Sequence, residues 1–206
     1  DLVRSRGLGD VYKRQKLGHS RIHKLEGKKK SADLDMVEIE VKIRVEDLKP
    51  VREKILHLEA KLEKERFFEE NTLFDFPSRA LQKKSEALRI RKMNKKTFLT
   101  FKGSPQKSRK FKVREEYETE VKNEKNLRNV LKSLGLAPVF NYQKYRAVFR
   151  KGRLKICLDE TAIGNFIELE GERNEITKFA TALGISKREF IKLDYVQLFQ
   201  MAREKA

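Results

Sequence analysis

The stretch VEIEVKIRV, Val37 to Val45, alternates without a break. Val37, Ile39, Val41, Ile43 and Val45 are apolar and β-branched, and Glu38, Glu40, Lys42 and Arg44 between them are charged. Successive side chains of a strand point to opposite faces, so a period of two over this length is a strand with one apolar and one charged face. Few folds accommodate many strands of that kind, and the chain contains several more.

ALRIRK (87–92) sets Arg89 and Arg91 against Leu88 and Ile90, and TFLTFK (97–102) sets Thr100 and Lys102 against Leu99 and Phe101. KFKVREEYETEV (110–121) lines up Arg114, Glu116, Glu118 and Glu120. NYQKYRAVFRK (141–151) places Lys144 and Arg146 opposite Tyr145, Ala147 and Phe149. RLKICLD (153–159) places Lys155, Cys157 and Asp159 opposite Leu154, Ile156 and Leu158, and NFIELEG (165–171) places Glu168 and Glu170 opposite Ile167 and Leu169. With RFFEENTLFDF (66–76), which stops before Pro77, these make eight expected strands. GRL (152–154) sits where a tight hairpin would join two of them.

Helical patterns intervene. In DLKPVREKILHLEAKLEKE the residues Leu48, Val51, Ile55, Leu58 and Leu62 form one apolar stripe, with Asp47 as a candidate N-cap and Pro50 in a tolerated first-turn position. EKNLRNVLKSLG (124–135) ends on a glycine suited to the position after a helix. NEITKFATALG (174–184) is a third helix, and Ser186 is the expected cap of a fourth that ends the chain. Two architectures fit this order. In a sandwich the charged faces meet water, and in a closed barrel they line the lumen while helices cover the apolar outside. Amphipathic helices need apolar sheet to cover, which favours the barrel. Eight strands close a barrel just wide enough for one ligand. The expectation is an α+β fold, an eight-stranded antiparallel barrel with a charged lumen and helices packed outside.

Residues 1–35 have neither period and carry ten Lys or Arg against five acids. They are expected to be a disordered or non-native basic leader, with the domain spanning 36–206 and Met36 a natural start. Ten of the 49 basic and five of the 31 acidic residues lie in that leader, which leaves the domain an excess of 13 positive charges. Such an excess points to an anionic partner. Cys157 is the lone cysteine, so no internal disulfide forms, which suits a reducing, cytoplasmic compartment. His19, His23 and His57 lack zinc-ligand spacing, and no apolar run approaches the roughly 18 residues of a membrane span.

Within a charged lumen the two signs divide the work. Glu38, Glu40, Asp159, Glu168 and Glu170 offer hard oxygen ligands. Mg²⁺ needs only a few carboxylates when substrate phosphates and water complete its octahedron. Lys42, Arg89, Arg91, Lys102, Lys144 and Arg146 offer phosphate contacts. One acidic and one basic wall suit a metal–triphosphate complex. A basic nucleic-acid module is the rival, but aromatic residues are not interleaved with the basic ones as stacking platforms require.

Seven motifs in order carry a resemblance: E-x-E-x-K (Glu38, Glu40, Lys42), L-R-I-R (88–91), T-F-K-G (100–103), R-E-E-Y-E (114–118), K-Y-R (144–146), L-D (158–159) and F-I-E-L-E (166–170). From about residue 36 to 200 the chain resembles the CYTH superfamily of class IV adenylyl cyclases, thiamine triphosphatases and related triphosphate tunnel enzymes. The resemblance is closest to bacterial and archaeal class IV adenylyl cyclase-like proteins. It implies a tunnel that binds a triphosphate with Mg²⁺ or Mn²⁺, with metal-binding positions at Glu38, Glu40, Asp159, Glu168 and Glu170. It implies phosphate-binding positions at Lys42, Arg89, Arg91, Lys102, Lys144 and Arg146, of which Lys42, Lys102 and Arg146 are the catalytic candidates. Glu116 and Glu118 match further tunnel-lining positions. A homodimer is a further implication, and neither a membrane nor a nucleic acid is expected as partner.

The chain also departs from the pattern. NTLFDFP (71–77) resembles the family's D-x-Y-F-D-x-P with Asn71 for the acid and Leu73 for the tyrosine. In mammalian-type thiamine triphosphatases that tyrosine pairs with the lysine matched by Lys102. Ala87 stands where those enzymes have a tryptophan. Both departures lower thiamine triphosphate as substrate. The expectation is a class IV adenylate cyclase-like enzyme, with an organic or inorganic triphosphatase, or a non-catalytic polyphosphate or nucleotide binder, as alternatives.

Overall fold

A computed structural model describes residues 37–204. Its eight strands are β1 (Val37–Val45), β2 (Lys61–Asp75), β3 (Ala87–Met93), β4 (Lys96–Lys102), β5 (Lys112–Val121), β6 (Ala137–Lys151), β7 (Leu154–Thr161) and β8 (Gly164–Glu170). Every pairing is antiparallel, and the order β1-β5-β4-β3-β2-β6-β7-β8 closes on itself because β8 pairs back onto β1. The helices are α1 (Leu48–His57), α2 (Ala80–Lys83), α3 (Glu124–Ser133), α4 (Arg173–Ala182) and α5 (Tyr195–Glu204).

The barrel is inverted relative to an ordinary soluble sheet. Val41 and Ile43 of β1, Phe149 of β6, Ile156 and Leu158 of β7, and Ile167 and Leu169 of β8 face outward. They are buried under Ile55 of α1 and Ile176, Phe179 and Ala180 of α4. A second apolar cluster packs Leu127 and Leu131 of α3 on Phe74, Leu88, Ile90 and Leu99. Each such side chain contributes about 1.5–3 kcal/mol by leaving water. That gain lies outside the barrel wall, so the alternation of each strand forces its charged residues inward. A third cluster lies across one end. Tyr195, Leu198 and Phe199 of α5 meet Leu73, Phe140, Tyr142 and Phe166 there.

Three boundaries differ from the sequence reading. The stripe from Leu48 to Leu62 predicts a longer first helix, but α1 ends at His57 and Leu62 lies on β2. Glu59 takes a positive φ of 60° directly after the helix, which turns the chain into the strand. β2 begins at Lys61 rather than Arg66 because its first turn of sequence pairs with β6 alone, as a ribbon exposed on both faces with no apolar side to betray it. Ser186 does not cap the final helix. It forms a capping box with Glu189 on a 3₁₀ turn, Lys187–Glu189. The chain then bonds Ile191 to Lys42 through both backbone groups (3.0 and 2.8 Å) before α5 starts. Asp194 and Gln197 cap α5 reciprocally, each accepting the other's backbone N–H at 3.0 Å.

The other caps match expectation. Asp47 accepts from the Lys49 N–H at 2.8 Å, and Gly135 follows α3 with φ 85°, a conformation glycine adopts without Cβ strain. Gly152 and Arg153 form the β6–β7 turn. The short α2 had no sequence signal; the Asp75 carboxylate holds it by accepting from the N–H groups of Leu81 and Gln82 at 3.0 Å. The expected leader, 1–35, lies outside the described residues.

Candidate functional site: a charged tunnel

The barrel lumen is a cavity of about 270 Å³. Twelve of the thirteen residues singled out from the sequence line it: Glu38, Glu40, Lys42, Arg89, Arg91, Lys102, Glu116, Glu118, Lys144, Arg146, Glu168 and Glu170. The charge of each is answered by its neighbours. Lys42 Nζ lies 3.1 Å from Glu40 and 3.0 Å from Glu168. Lys102 Nζ lies 2.6 Å from both Glu38 and Glu116. Arg91 meets Glu118 at 2.6 Å, and Arg89 stands 3.8 and 3.9 Å from Glu116 and Glu118. Lys155 meets Glu170 at 2.7 Å.

Asp159, read from the sequence among the metal-facing acids, is set differently. It is fully buried behind the lumen wall, and both of its oxygens are engaged. Arg146 donates Nε and Nη2 to it at 2.6 Å each, Lys144 donates at 3.1 Å, and the Tyr195 hydroxyl donates to Oδ2. Its contacts make it an anchor for the basic wall. Cys157 on the same strand is fully buried, and burial pushes its thiol up to about 12, so it is a small filler and not a thiolate.

The pairing favours the charged forms of Lys42, Lys102 and Glu168. Burial alone would lower the Lys42 ammonium, but Glu168 and Glu40 overcome it and hold Lys42 above the ordinary lysine value. Burial would raise Glu168, but Arg146, Lys42 and Lys144 hold it well below the usual carboxylate range. Lys102, also opposed by burial, is raised by Glu38, Glu40 and Glu116. Burial and the carboxylates of Asp159 and Glu168 push Tyr195 up, so it stays a hydroxyl donor.

The pairing is incomplete in one respect. The Nε atoms of Arg89, Arg91 and Arg114 are buried and have no hydrogen-bond partner. Buried N–H donors without acceptors are costly, and three of them on guanidinium groups in one lumen suit an incoming polyanion.

Arg114 and Lys155 also line the cavity. Glu69, Tyr142 and Asp194 were missed. Glu69 shares strand parity with Asn71 and Leu73, and that spacing was the signal available. Arg44 and Arg150 are exposed and lie away from the cavity, bonded to Ile163 O and Glu63.

At the α5 end the lumen lining turns apolar at Leu73, Ala87 and Val196 and meets a groove of about 1170 Å³. Phe140, Leu193, Gln106, Gln200, Arg79 and Arg109 border it. Lys112 and Asp194 form an ion pair at this mouth, 3.0 Å long. Burial first, then Arg114, pushes Lys112 down to about 8, against the pull of Asp194.

Between pH 8 and the ordinary lysine value the unfolded chain therefore holds a proton that the fold has released, and this group's contribution to stability rises with pH. Below pH 8 the cost of burying the charge is present in full. Cys157 and Tyr195 act in the opposite sense at higher pH, because their folded values lie above their unfolded ones. A comparison with Lys112→Met isolates the effect. Urea denaturation of metal-free protein is expected to show the stability gap between variant and wild type narrowing by about 1 kcal/mol from pH 8 to 9. A gap that stays constant would refute a depressed Lys112.

Among the described residues no three acidic, histidine or cysteine side chains form a ready-made metal cage. The donor chemistry nevertheless fits a divalent cation. Glu40 and Glu168 both reach within 3.1 Å of one ammonium, so their oxygens already surround a positive charge, and Glu170 is the register partner of Glu40.

Comparison with known proteins agrees with this architecture. A Methanocaldococcus jannaschii protein provisionally named an adenylate cyclase is 30% identical over 174 residues, covering 79% of this chain and 98% of that protein. The solved structure of the PH1819 protein of Pyrococcus horikoshii has a TM-score of 0.68 at 28% identity, covering 80% of this chain and 99% of that one. A provisionally named adenylyl cyclase from Hippeastrum, described as having a dominant triphosphatase activity, shares the fold with a TM-score of 0.57 at 22% identity, covering 80% of this chain and 96% of its own. The CYTH domain model matches residues 36–191. The closed barrel is thus a fold shared with these solved structures, and the chain belongs to the CYTH domain family.

Proposed function

We propose that this protein is a divalent-metal-dependent enzyme acting on a triphosphate held in the barrel lumen, in the manner of a class IV adenylyl cyclase, converting ATP to cyclic AMP and pyrophosphate. The observation that carries the reading is the lumen itself. Acids and bases line one cavity of about 270 Å³ in paired sets, and the Nε donors of Arg89, Arg91 and Arg114 have no hydrogen-bond partner within it.

Glu38, Glu40, Glu168 and Glu170 would hold Mg²⁺ or Mn²⁺, with Asp159 behind them fixing Arg146 and Lys144. The bound cation would polarise phosphoryl oxygens and lower the pKa of the attacking hydroxyl. The protein's own residues do the rest. Arg89, Arg91, Lys144 and Arg146 bind phosphate oxygens through donors that are positioned before substrate arrives. Lys42 and Lys102 stay protonated and stabilise charge that develops on the leaving pyrophosphate. The acids paired with these side-chain cations would be freed for the metal as phosphates replace them. The organic group would extend toward the α5 end, where the lining becomes apolar and the groove begins.

A triphosphatase is the second reading, because the charged lumen needs only the triphosphate and the Hippeastrum fold neighbour is described as having that activity. Leu73 and the absence of tryptophan disfavour thiamine triphosphate. Incubation with Mg²⁺ or Mn²⁺ and a panel of ATP, other nucleoside triphosphates and tripolyphosphate, followed by ion-exchange separation, distinguishes the two. Cyclic AMP with pyrophosphate is the expected outcome. Nucleoside diphosphate with phosphate would replace the cyclase by the hydrolase, and inertness with tight tripolyphosphate binding would leave a receptor.

A further inference from the structure

β2 lies between β3 and β6, the two strands that carry Arg89, Arg91, Lys144 and Arg146. Toward these four cations it turns a single charged side chain, Glu69. This residue is fully buried and does not touch the cavity. Lys144 is its register partner on β6, with Nζ 3.6 Å from Oε1. Arg91 Nη1 stands 3.9 Å from Oε2, and Asn71 Nδ2 donates to Oε1 at 3.0 Å. Burial would push this carboxyl up, but Lys144, Arg146, Arg91 and Arg89 together hold it well below the usual range.

The position of Glu69 separates it from the other acids. Glu116, Glu118 and Glu168 line the cavity, so a phosphate can displace them from their cations. Glu69 sits behind the cations, where no substrate reaches it. We infer that Glu69 is the fixed counter-ion of the phosphate-binding wall, a positioning residue that holds Lys144 and Arg91 in place whether or not substrate is present, with Asn71 holding the carboxylate. Side chains at positions 69 and 71 share a face. A carboxylate at either can therefore face the same cations, with an amide at the other as its donor.

The inference rests on the triphosphate reading of the lumen, and the test separates the two. Tripolyphosphate binding is measured by calorimetry, and KM and kcat on tripolyphosphate or ATP alongside, for wild type, Glu69→Gln, and the exchanged pair Glu69→Gln/Asn71→Asp. If Glu69 contributed only its charge, its removal would make the wall more positive and binding tighter. If it positions the wall, the cations turn instead to Glu118, Asp159 and Glu168, substrate must compete for them, and binding weakens by about tenfold.

The exchanged pair is expected to recover most of that loss. Melting curves accompany each variant, because a merely structural role would lower the melting temperature and active fraction while leaving KM unchanged. Unchanged or tighter binding in Glu69→Gln, or no recovery in the exchanged pair, would overturn the inference. Wild type that fails to bind tripolyphosphate would instead overturn the lumen reading beneath it.

Discussion

Arg146→Lys is expected to leave a folded protein whose turnover is lower by about 100- to 1,000-fold. Arg146 donates Nε and Nη2 to the two oxygens of Asp159 at 2.6 Å, and Nη2 also reaches Glu168 at 3.0 Å. The guanidinium lines the cavity, and no described side chain bonds its Nη1. In the proposed reading that nitrogen meets a phosphate oxygen, while the other two stay on Asp159 and Glu168. Lysine keeps the charge, but a single ammonium cannot hold Asp159 and aim a donor into the lumen together. Arg146→Met is a different experiment. It strips Asp159 of its main partner in a fully buried site and is expected to cost about 3–5 kcal/mol of stability. Measured kcat on tripolyphosphate or ATP, read with a thermal melt of each variant, checks both. Wild-type turnover in Arg146→Lys would remove Arg146 from the reaction.

Glu40→Gln is expected to raise the metal concentration needed for half-maximal activity by about tenfold or more, and to lower activity sharply at limiting metal. Glu40 shares the Lys42 ammonium with Glu168, at 3.1 and 3.0 Å. Lys42 keeps Glu168 in the variant, so its charge is still answered and the fold should persist. The phosphate wall is untouched, so metal-free tripolyphosphate binding should survive. Titration of activity with Mn²⁺, beside calorimetric binding of tripolyphosphate without metal, reads the two effects apart. An unaltered metal requirement would move the cation away from Glu40.

Much of this tunnel is legible from parity. Glu38, Glu40 and Lys42 belong to one face because a strand has a period of two, and the same rule aligns Arg89 with Arg91 and Glu168 with Glu170. Asp159 obeys the same rule yet lies behind the lumen, because parity assigns a face and not a depth. Its depth comes from the fork of Arg146 and the hydroxyl of Tyr195, which arrives on α5 from 36 residues further along the chain. Glu69 was overlooked for a related reason. RFFEENTLFDF offers no clean alternation, since Phe67 and Phe68 lie side by side and Glu69 and Glu70 follow them. Only the pairing of Glu69 with Lys144 shows which of the two glutamates faces in.

VEIEVKIRV, read alone, determines a strand and its two faces. It leaves open which face is the inside, because a charged face gains as much from water as an apolar one gains from leaving it. The tertiary structure decided that question through α1, α3 and α4, which cover the apolar faces from outside and so leave the charges no direction but the lumen. There, away from bulk water, Lys102 of β4 meets Glu38, Glu168 of β8 meets Lys42, and Glu40 pairs with Lys42 on its own strand. Local alternation placed the charges in files; closure of the barrel set acid against base across the lumen.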